Sequence, residues 1–585
     1  MQPASSSAGG SGSSTSVRKW GPVAAIVAVV AIVAAVVLSS GGGDDDGGSA
    51  PESSAASGST GETTMAPADA TTIAADDWTY PLSLTQATEA GIADSIDWGA
   101  RCDTERGTLA VPDYFAADCY APFTGDNGGA TDDGVTADEI VIVHYMGPDG
   151  DPVINYITDA VKVDDTNAQE EESINGYVEY FQSYYELYGR KVKVITYEST
   201  GLATDEVTAR ADAQAIVEKY KPFAVIGGPS LTNAFSDEMA AQKVLCISCG
   251  ATGSTEWLAE RDPYIWAIDG SSEQKQQLVA EYIGKQLAGK PASHAGDALK
   301  STPRKFALVY VESGSESKRL ADLMSERLAE VGAEPALVLP YVLDPGSLQQ
   351  SANQIVAKMK AEGVTSVILA TDPVAPREFT REATAQEYEP EWIIPASTLV
   401  DVTAFARSYD QKQWAHAFGV TSLAARTNPE TAGYYALYKW FKGVEPPANE
   451  STGVYMPPWG LLFAALQATG PDLTTDNMAA AIRSFETKKA ITQPWLTWGD
   501  HGIWDDDDHT GIDDATLIWW DPAASGKDEI RREASGMYMY VDGGQRYLPG
   551  EFGDEDKMFV ADGAISIYDT PPAEETPPTY ASPAG

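Results

Sequence analysis

The chain has 585 residues, 86 of them acidic and 39 basic, for a formal charge of −47. That charge argues against a sequence-independent grip on nucleic-acid phosphates or anionic lipid headgroups, which needs a basic surface. A hydrophobic share of 43% with 14 Trp can bury a large core, and the length suits two or more folding units.

Arg18 and Lys19 precede an uncharged, Val-, Ala- and Ile-rich stretch at 21–38, and Asp44, Asp45 and Asp46 follow it. As a helix it would measure about 27 Å, close to a hydrocarbon layer of about 30 Å. The charge asymmetry puts residues 1–20 in the cytoplasm and the bulk outside. The segment is expected to be an uncleaved transmembrane anchor, making the protein a single-pass protein of the cell membrane. A cleaved signal, giving a secreted protein, is the alternative, although signal apolar regions run to only about 7–15 residues. Gly41 stands where a lipoprotein would need its Cys. Residues 39–77 are nearly all small or polar and are expected to form a disordered linker of roughly 35 Å.

Residues 78–134 hold Cys102 and Cys119, 17 positions apart. Outside the cell these most simply close a local loop, worth about 3 kcal/mol in the chain-entropy model, and staple an N-terminal extension.

From residue 137 strands and helices alternate. The unbroken β-branched run at 140–143 predicts a strand buried on both faces. Ile174, Val178, Phe181, Tyr185 and Tyr188 then recur at helical spacing before Gly189. Further strands are expected at 192–197, 223–226, 244–248, 264–268, 306–311, 336–342, 366–371 and 392–395. Helices are expected at 205–220, 233–243, 273–287, 317–331, 348–361 and 375–386. Such alternation predicts an α/β protein with parallel sheets of right-handed βαβ units, in two doubly wound lobes. After Ser397 helices dominate, at 430–441, 456–468 and 475–485, before a Trp-rich, β-rich finish at 491–521. The two-lobed domain is expected at 135–548, with lobe one at about 138–267 plus 400–490 and lobe two at about 268–397 plus 491–548. A C-terminal extension follows at 549–585, disordered from about 570, where five Pro accumulate.

No GxSxG, HExxH, GxxxxGK[ST] or strand-linked GxGxxG occurs, so the sequence carries no signature of an enzyme and implies no cofactor. His144, His294, His416, His501 and His509 are scattered, and His144 reads as a packed or hydrogen-bonded residue. The run 505–508 with His509, Asp513 and Asp514 lacks the terminal Glu of a calcium loop and reads as a solvated surface, not a metal site. Cys246 and Cys249 have CxxC spacing, but in an exported protein they read as a structural disulfide or buried thiols.

Ligands of open α/β sheets gather at strand carboxyl ends. Two successive loops there stand out: 227–233, with Ser230, Thr232 and Asn233, and 249–255, with Gly250, Ala251 and Thr252. Each offers flexible glycines and short hydroxyl or amide side chains, which are equally the residues of helix caps.

The runs 223–230, 244–252 and 264–266, with 306–310, 330–333 and 360–369, resemble in order the motifs of type I periplasmic binding proteins of the branched-chain amino-acid-binding family of ABC importers. The resemblance covers roughly residues 134–521. It implies two lobes on a hinge, preceded here by the N-terminal helix, closing on a small ligand that is passed to ABC permease subunits. By position, Ser230, Thr232, Asn233 and the Gly250-Ala251-Thr252 loop would hold a ligand carboxylate. In lobe two the pattern departs: residues 312–317 replace the Tyr-Gly of amino-acid binders, leaving Ser313 and Ser315, and Asp372 is the nearest match to the acid that meets a ligand amine. The resemblance therefore implies capture of a small polar ligand, an amino acid or related carboxylate or amide. The alternatives are a sensory receptor ectodomain of the same fold or a hydrolase. Residues 1–134 carry −14 and residues 500–585 carry −15, so the binding unit holds the smaller part of the charge, and the acidity says little about the ligand's sign.

Overall fold

The β-branched run at 140–143 lies in β1, Glu139–Met146, where Ile140, Ile142 and Val143 are almost wholly buried. The computed structural model describes residues 78–585 apart from 149, 251, 252, 397, 398 and 506. The expected cytoplasmic segment, membrane anchor and linker (1–77) lie outside the described residues. Among the described residues no helix is long and apolar enough to cross a membrane.

From β1 the chain enters α1, Pro152–Val161, and α2, Asn167–Tyr184, before β2, Lys191–Glu198. Then come α3, Glu206–Tyr220, β3, Ala224–Ile226, α4, Ala234–Ala241, β4, Leu245–Ile247, and β5, Ile265–Trp266. All five strands are parallel, in the order β2-β1-β3-β4-β5. The chain leaves β1 for one side and returns through β3 on the other. The carboxyl ends of β1 and β3 therefore flank a topological switch point, where such sheets open a crevice.

The second sheet begins after α5, Ser272–Tyr282. It runs through β6, Phe306–Val311, α6, Ser315–Glu330, β7, Leu337–Tyr341, α7, Leu348–Glu362, β8, Ser366–Ala370, α8, Ala375–Ala385, and β9, Glu391–Pro395. β10, Ala417–Thr421, pairs parallel to β9. The chain then returns to the first lobe for α9, Gly433–Lys442, α10, Pro457–Thr469, and α11, Thr475–Arg483, where Phe181 of α2 stacks on Phe463 with centroids 4.4 Å apart. The antiparallel hairpin β11, Ala515–Lys527, and β12, Glu533–Tyr540, completes the sheet β12-β11-β10-β9-β8-β6-β7, with Arg546–Tyr547 paired to β11. The backbone passes between lobes at 267–271, 422–432 and 513–514.

Four expectations change. Residues 400–421 belong to lobe two, because β10 pairs with β9 there and Trp414 and Ala417 lie in that lobe's core. The strand is easily missed since Gly419 interrupts it, yet a Cβ at Gly419 would sit 2.2 Å from the Ile394 carbonyl oxygen, so only glycine permits the pairing. In the stretch 491–512, expected in lobe two, Leu496, Trp498 and Ile512 lie in the core of lobe one, while Ile491 and Trp504 pack against lobe two. Helix α1 was not foreseen: Asp151 caps it, accepting from the N–H groups of Val153 (2.8 Å) and Ile154 (3.2 Å), with Pro152 in the first turn.

The fourth change is at the C-terminus, where residues beyond 570 are seated and not disordered. Tyr568 bridges to Thr427 on the second crossover, and Glu575 is buried. The Tyr580 hydroxyl donates to Asp103 (2.5 Å) while its carbonyl accepts from Trp440 Nε1 (3.1 Å). The prolines shape a strap across the molecule instead of a free tail. The N-terminal extension carries the Cys102–Cys119 disulfide and adds Leu84, Trp98 and Val111 to the first-lobe core.

Candidate functional site at the strand ends

The loops after β3 and β4 meet backbone to backbone. A Cβ at Gly228 would lie 2.5 Å from the Cys249 carbonyl oxygen, and one at Gly250 (φ +113°) would lie 2.5 Å from that of Pro229. Glycine at both positions lets the loops interlock, and the Cys246–Cys249 disulfide ties the second loop to its strand. The CxxC pair is thus a structural bridge beneath the loop.

Within this pair of loops the expected residues take different roles. Ser230 is 7% exposed and its hydroxyl has no hydrogen-bond partner among the described residues. A buried hydroxyl without a partner is costly, and the cost is recovered when a ligand supplies the bond. Thr232 is equally buried, but its hydroxyl accepts from the N–H of Ala234, the first residue of α4 (3.1 Å). Asn233 stands at the helix entrance, half-buried, without a side-chain cap bond. Gly250 sets the loop's close approach. Ala251 and Thr252 lie outside the described residues.

Beside the loops, a crevice of about 530 Å³ counted to its open mouth occupies the switch point. Its walls include His144, Gly147, Asn167, Glu170, Gly227, Ser248 and Tyr455. His144 and Glu170 are buried, with Nε2 and Oε1 3.5 Å apart. Burial drives His144 down to about 4 and Glu170 up to about 8, the latter reinforced by Asp165, so both are neutral near pH 7. His144 Nδ1 and Asn167 Oδ1 lack partners among the described residues, while Asn167 Nδ2 donates to the Gly147 carbonyl (3.1 Å). The crevice therefore offers uncharged donors and acceptors. His144, expected as a packed or hydrogen-bonded residue, is packed here, its ring edge-on to Trp459 with centroids 5.8 Å apart. Asn167 and Glu170 were missed, because only the fold turns the first turns of α2 toward the strand ends.

Lobe two presents less. Ser313 and Ser315 are exposed at the entrance to α6, where Ser313 N–H donates to Ser317. Asp372 is turned inward: it accepts from the Val374 (2.8 Å) and Ala375 (3.0 Å) N–H groups and from the Tyr341 hydroxyl. It caps α8 and offers no free carboxylate. Nearer the crossovers, Lys275 pairs with Asp269, and Thr421 donates to Asp401, which burial pushes up to about 7. Asp269 Oδ1, Asp401 Oδ1 and Ser422 Oγ have no partner among the described residues.

Of the acidic residues read as a solvated surface, Asp505 and Asp507 are exposed, whereas Asp508, Asp513 and Asp514 are buried. Asp508 accepts from Gln274 (2.8 Å), and Asp513 from Thr497 (2.8 Å) and Trp504 (2.7 Å). Among the described residues no group of three His, Cys, Asp or Glu side chains is arranged to hold a metal ion.

The family model described as periplasmic binding protein matches residues 162–527. No curated protein matches the chain. Among solved structures, a periplasmic binding protein from Burkholderia mallei aligns at 12% identity and TM-score 0.49, covering 71% of this chain and 96% of its own. The leucine-, isoleucine-, valine-, threonine- and alanine-binding protein of Brucella ovis aligns at 14% and 0.48, covering 72% and 97%. A solute-binding protein of an ABC transporter from Rhodopseudomonas palustris HaA2, in complex with p-hydroxybenzoic acid, aligns at 14% and 0.48, covering 73% and 100%. The family match runs from the residue after α1 to the last residue of β11, through strands of both sheets and all three crossovers, and by it the chain belongs to the periplasmic binding protein family.

Proposed function

We propose that this protein is an extracytoplasmic solute-binding receptor, not an enzyme, that holds a small polar ligand at the carboxyl edge of the first sheet and presents it to ABC permease subunits. The carrying observation is the buried Ser230 hydroxyl, without a partner among the described residues, on two interlocked glycine loops beside a crevice of neutral donors and acceptors. Such a wall suits a carboxylate or amide. The ammonium group of an amino acid calls for a free carboxylate, and Asp372 is committed to its helix cap and Tyr341. The apolar segment at 21–38 supports tethering to the cell membrane, with the two lobes outside.

Mass spectrometry of small molecules released from the exported protein tests this reading. It expects one small carboxylate or amide at about one per chain. Recovery of none, together with no binding across a panel of such compounds, would sink it.

A further inference from the structure

The C-terminal strap fastens lobe two, a crossover and lobe one in turn. Before it reaches the crossover the chain belongs to lobe two: Ile565 and Tyr540 exchange backbone bonds (2.7 and 3.1 Å), and Phe552 and Met558 lie in that lobe's core. Tyr568 then runs beside the second crossover like an added strand. Its N–H donates to the Arg426 carbonyl (2.7 Å), and its own carbonyl accepts from the Asn428 N–H (3.0 Å). Further on, Glu575 holds the strap to Ile491 and Thr492. The far end is fastened to lobe one. The Tyr580 hydroxyl donates to Asp103 and accepts from Arg106 (3.4 Å), both in the N-terminal extension, and Ser582 Oγ donates to the Trp440 carbonyl on α9 (2.6 Å).

Between these anchors the strap has little slack. Pro571, Pro572, Pro577 and Pro578 fix φ and favour extended backbone, which neither shortens nor stretches easily. The strap also stands off the surface here. A cavity of about 520 Å³, counted to its open mouth, is walled by Pro571 and Pro577 on one side and by Phe115 and Leu437 on the other. A rotation of lobe two against lobe one moves Ile565 and Tyr568 relative to Tyr580. A stiff span fastened at both ends resists that rotation until one end lets go.

We propose that the strap is a brace across the hinge, which holds the two lobes at one angle and releases its Tyr580 end before they turn. Neither the strap nor the extension that receives it lies within residues 162–527, the part that matches the family. The brace needs no ligand to act, and its test is therefore separate from that of the strand-end site.

The test is a distance measurement between the lobes by double electron–electron resonance on the full chain. All four cysteines are paired, so Val207→Cys in lobe one and Val342→Cys in lobe two, both at exposed positions, accept the spin labels. Without ligand, this labelled parent is expected to give one narrow distance peak. Truncation after Thr570 should broaden it and add a population displaced by several ångström. Pro577→Gly/Pro578→Gly keeps every anchoring side chain but adds slack, and should broaden the peak as well. A strap that only stabilises would lower the melting temperature on truncation and leave the distances as they were. Two separate distances in the parent, or a peak unchanged in both altered chains, would overturn the proposal. Should truncation prevent folding, the proline variant decides, an unchanged peak counting against the brace.

Discussion

His144 Nε2 stands 3.5 Å from Glu170 Oε1 at the switch point of the first sheet, with both side chains buried. Their shifts act on stability in opposite directions. Glu170 rises from 4.5 to about 8, so the folded state keeps a proton that the unfolded chain releases, and this group's contribution falls as pH climbs through that window. His144 drops from 6.5 to about 4, so its contribution is complete above 6.5 and is lost as pH falls toward 4. Glu170→Gln removes the first effect alone. The melting temperature of the variant relative to the parent should therefore climb from pH 5 to pH 8, by about 2 °C or more. A gap that is flat across that range would place the Glu170 titration elsewhere.

Helix α1 leaves the first lobe yet inserts Ile157 and Val161 into the second-lobe core, while the Tyr156 hydroxyl accepts from Arg377 (2.9 Å). Truncating a buried Ile removes its packing and leaves a cavity. Ile157→Ala is expected to lower stability by about 2–4 kcal/mol. Hydrogen exchange should quicken across 152–163 before the sheets open. Unchanged protection of that segment would show that the helix adds no stability to the seam.

The C-terminal strap ends in specific bonds. Glu575 accepts from the Ile491 (2.8 Å) and Thr492 (2.9 Å) N–H groups and from the Thr492 hydroxyl (2.5 Å). Glu575→Ala leaves these donors without their acceptor and should cost about 1–3 kcal/mol in denaturant unfolding. Truncation after Thr570 should cost at least as much, since it also removes Tyr580 and with it the bonds to Asp103 and Trp440. A truncated chain as stable as the parent would return 570–585 to the status of a free tail.

Much of this architecture is legible in residue order. The strand expected at 306–311 is β6 with the same bounds, because a continuous apolar run between polar breaks permits few readings. Helix α1 carried a signal that went unused, since Asp151 before Pro152 is an N-cap followed by a favoured first-turn residue. The prolines after 570 suggested disorder because composition does not reveal that Glu575 finds two backbone donors far away in sequence. Ser230 is a candidate from its glycine loop, and the structure adds that its hydroxyl is buried. Thr232 matches the same pattern, and its hydroxyl accepts from the Ala234 N–H at the start of α4, a contact that loop composition does not separate from ligand binding. Glu170 was invisible because a carboxylate in a helix reads as solvated until the fold buries it.

The account turns on whether Ser230 faces a ligand. The most direct measurement is a calorimetric titration of Ser230→Ala with the small molecule released from the unaltered protein. It predicts affinity weakened about tenfold or more, as expected for the loss of a buried hydrogen bond to a charged or polar group, with the melting temperature of the ligand-free protein nearly unchanged. Unaltered affinity would contradict the account and remove the strand-end loops from the binding site.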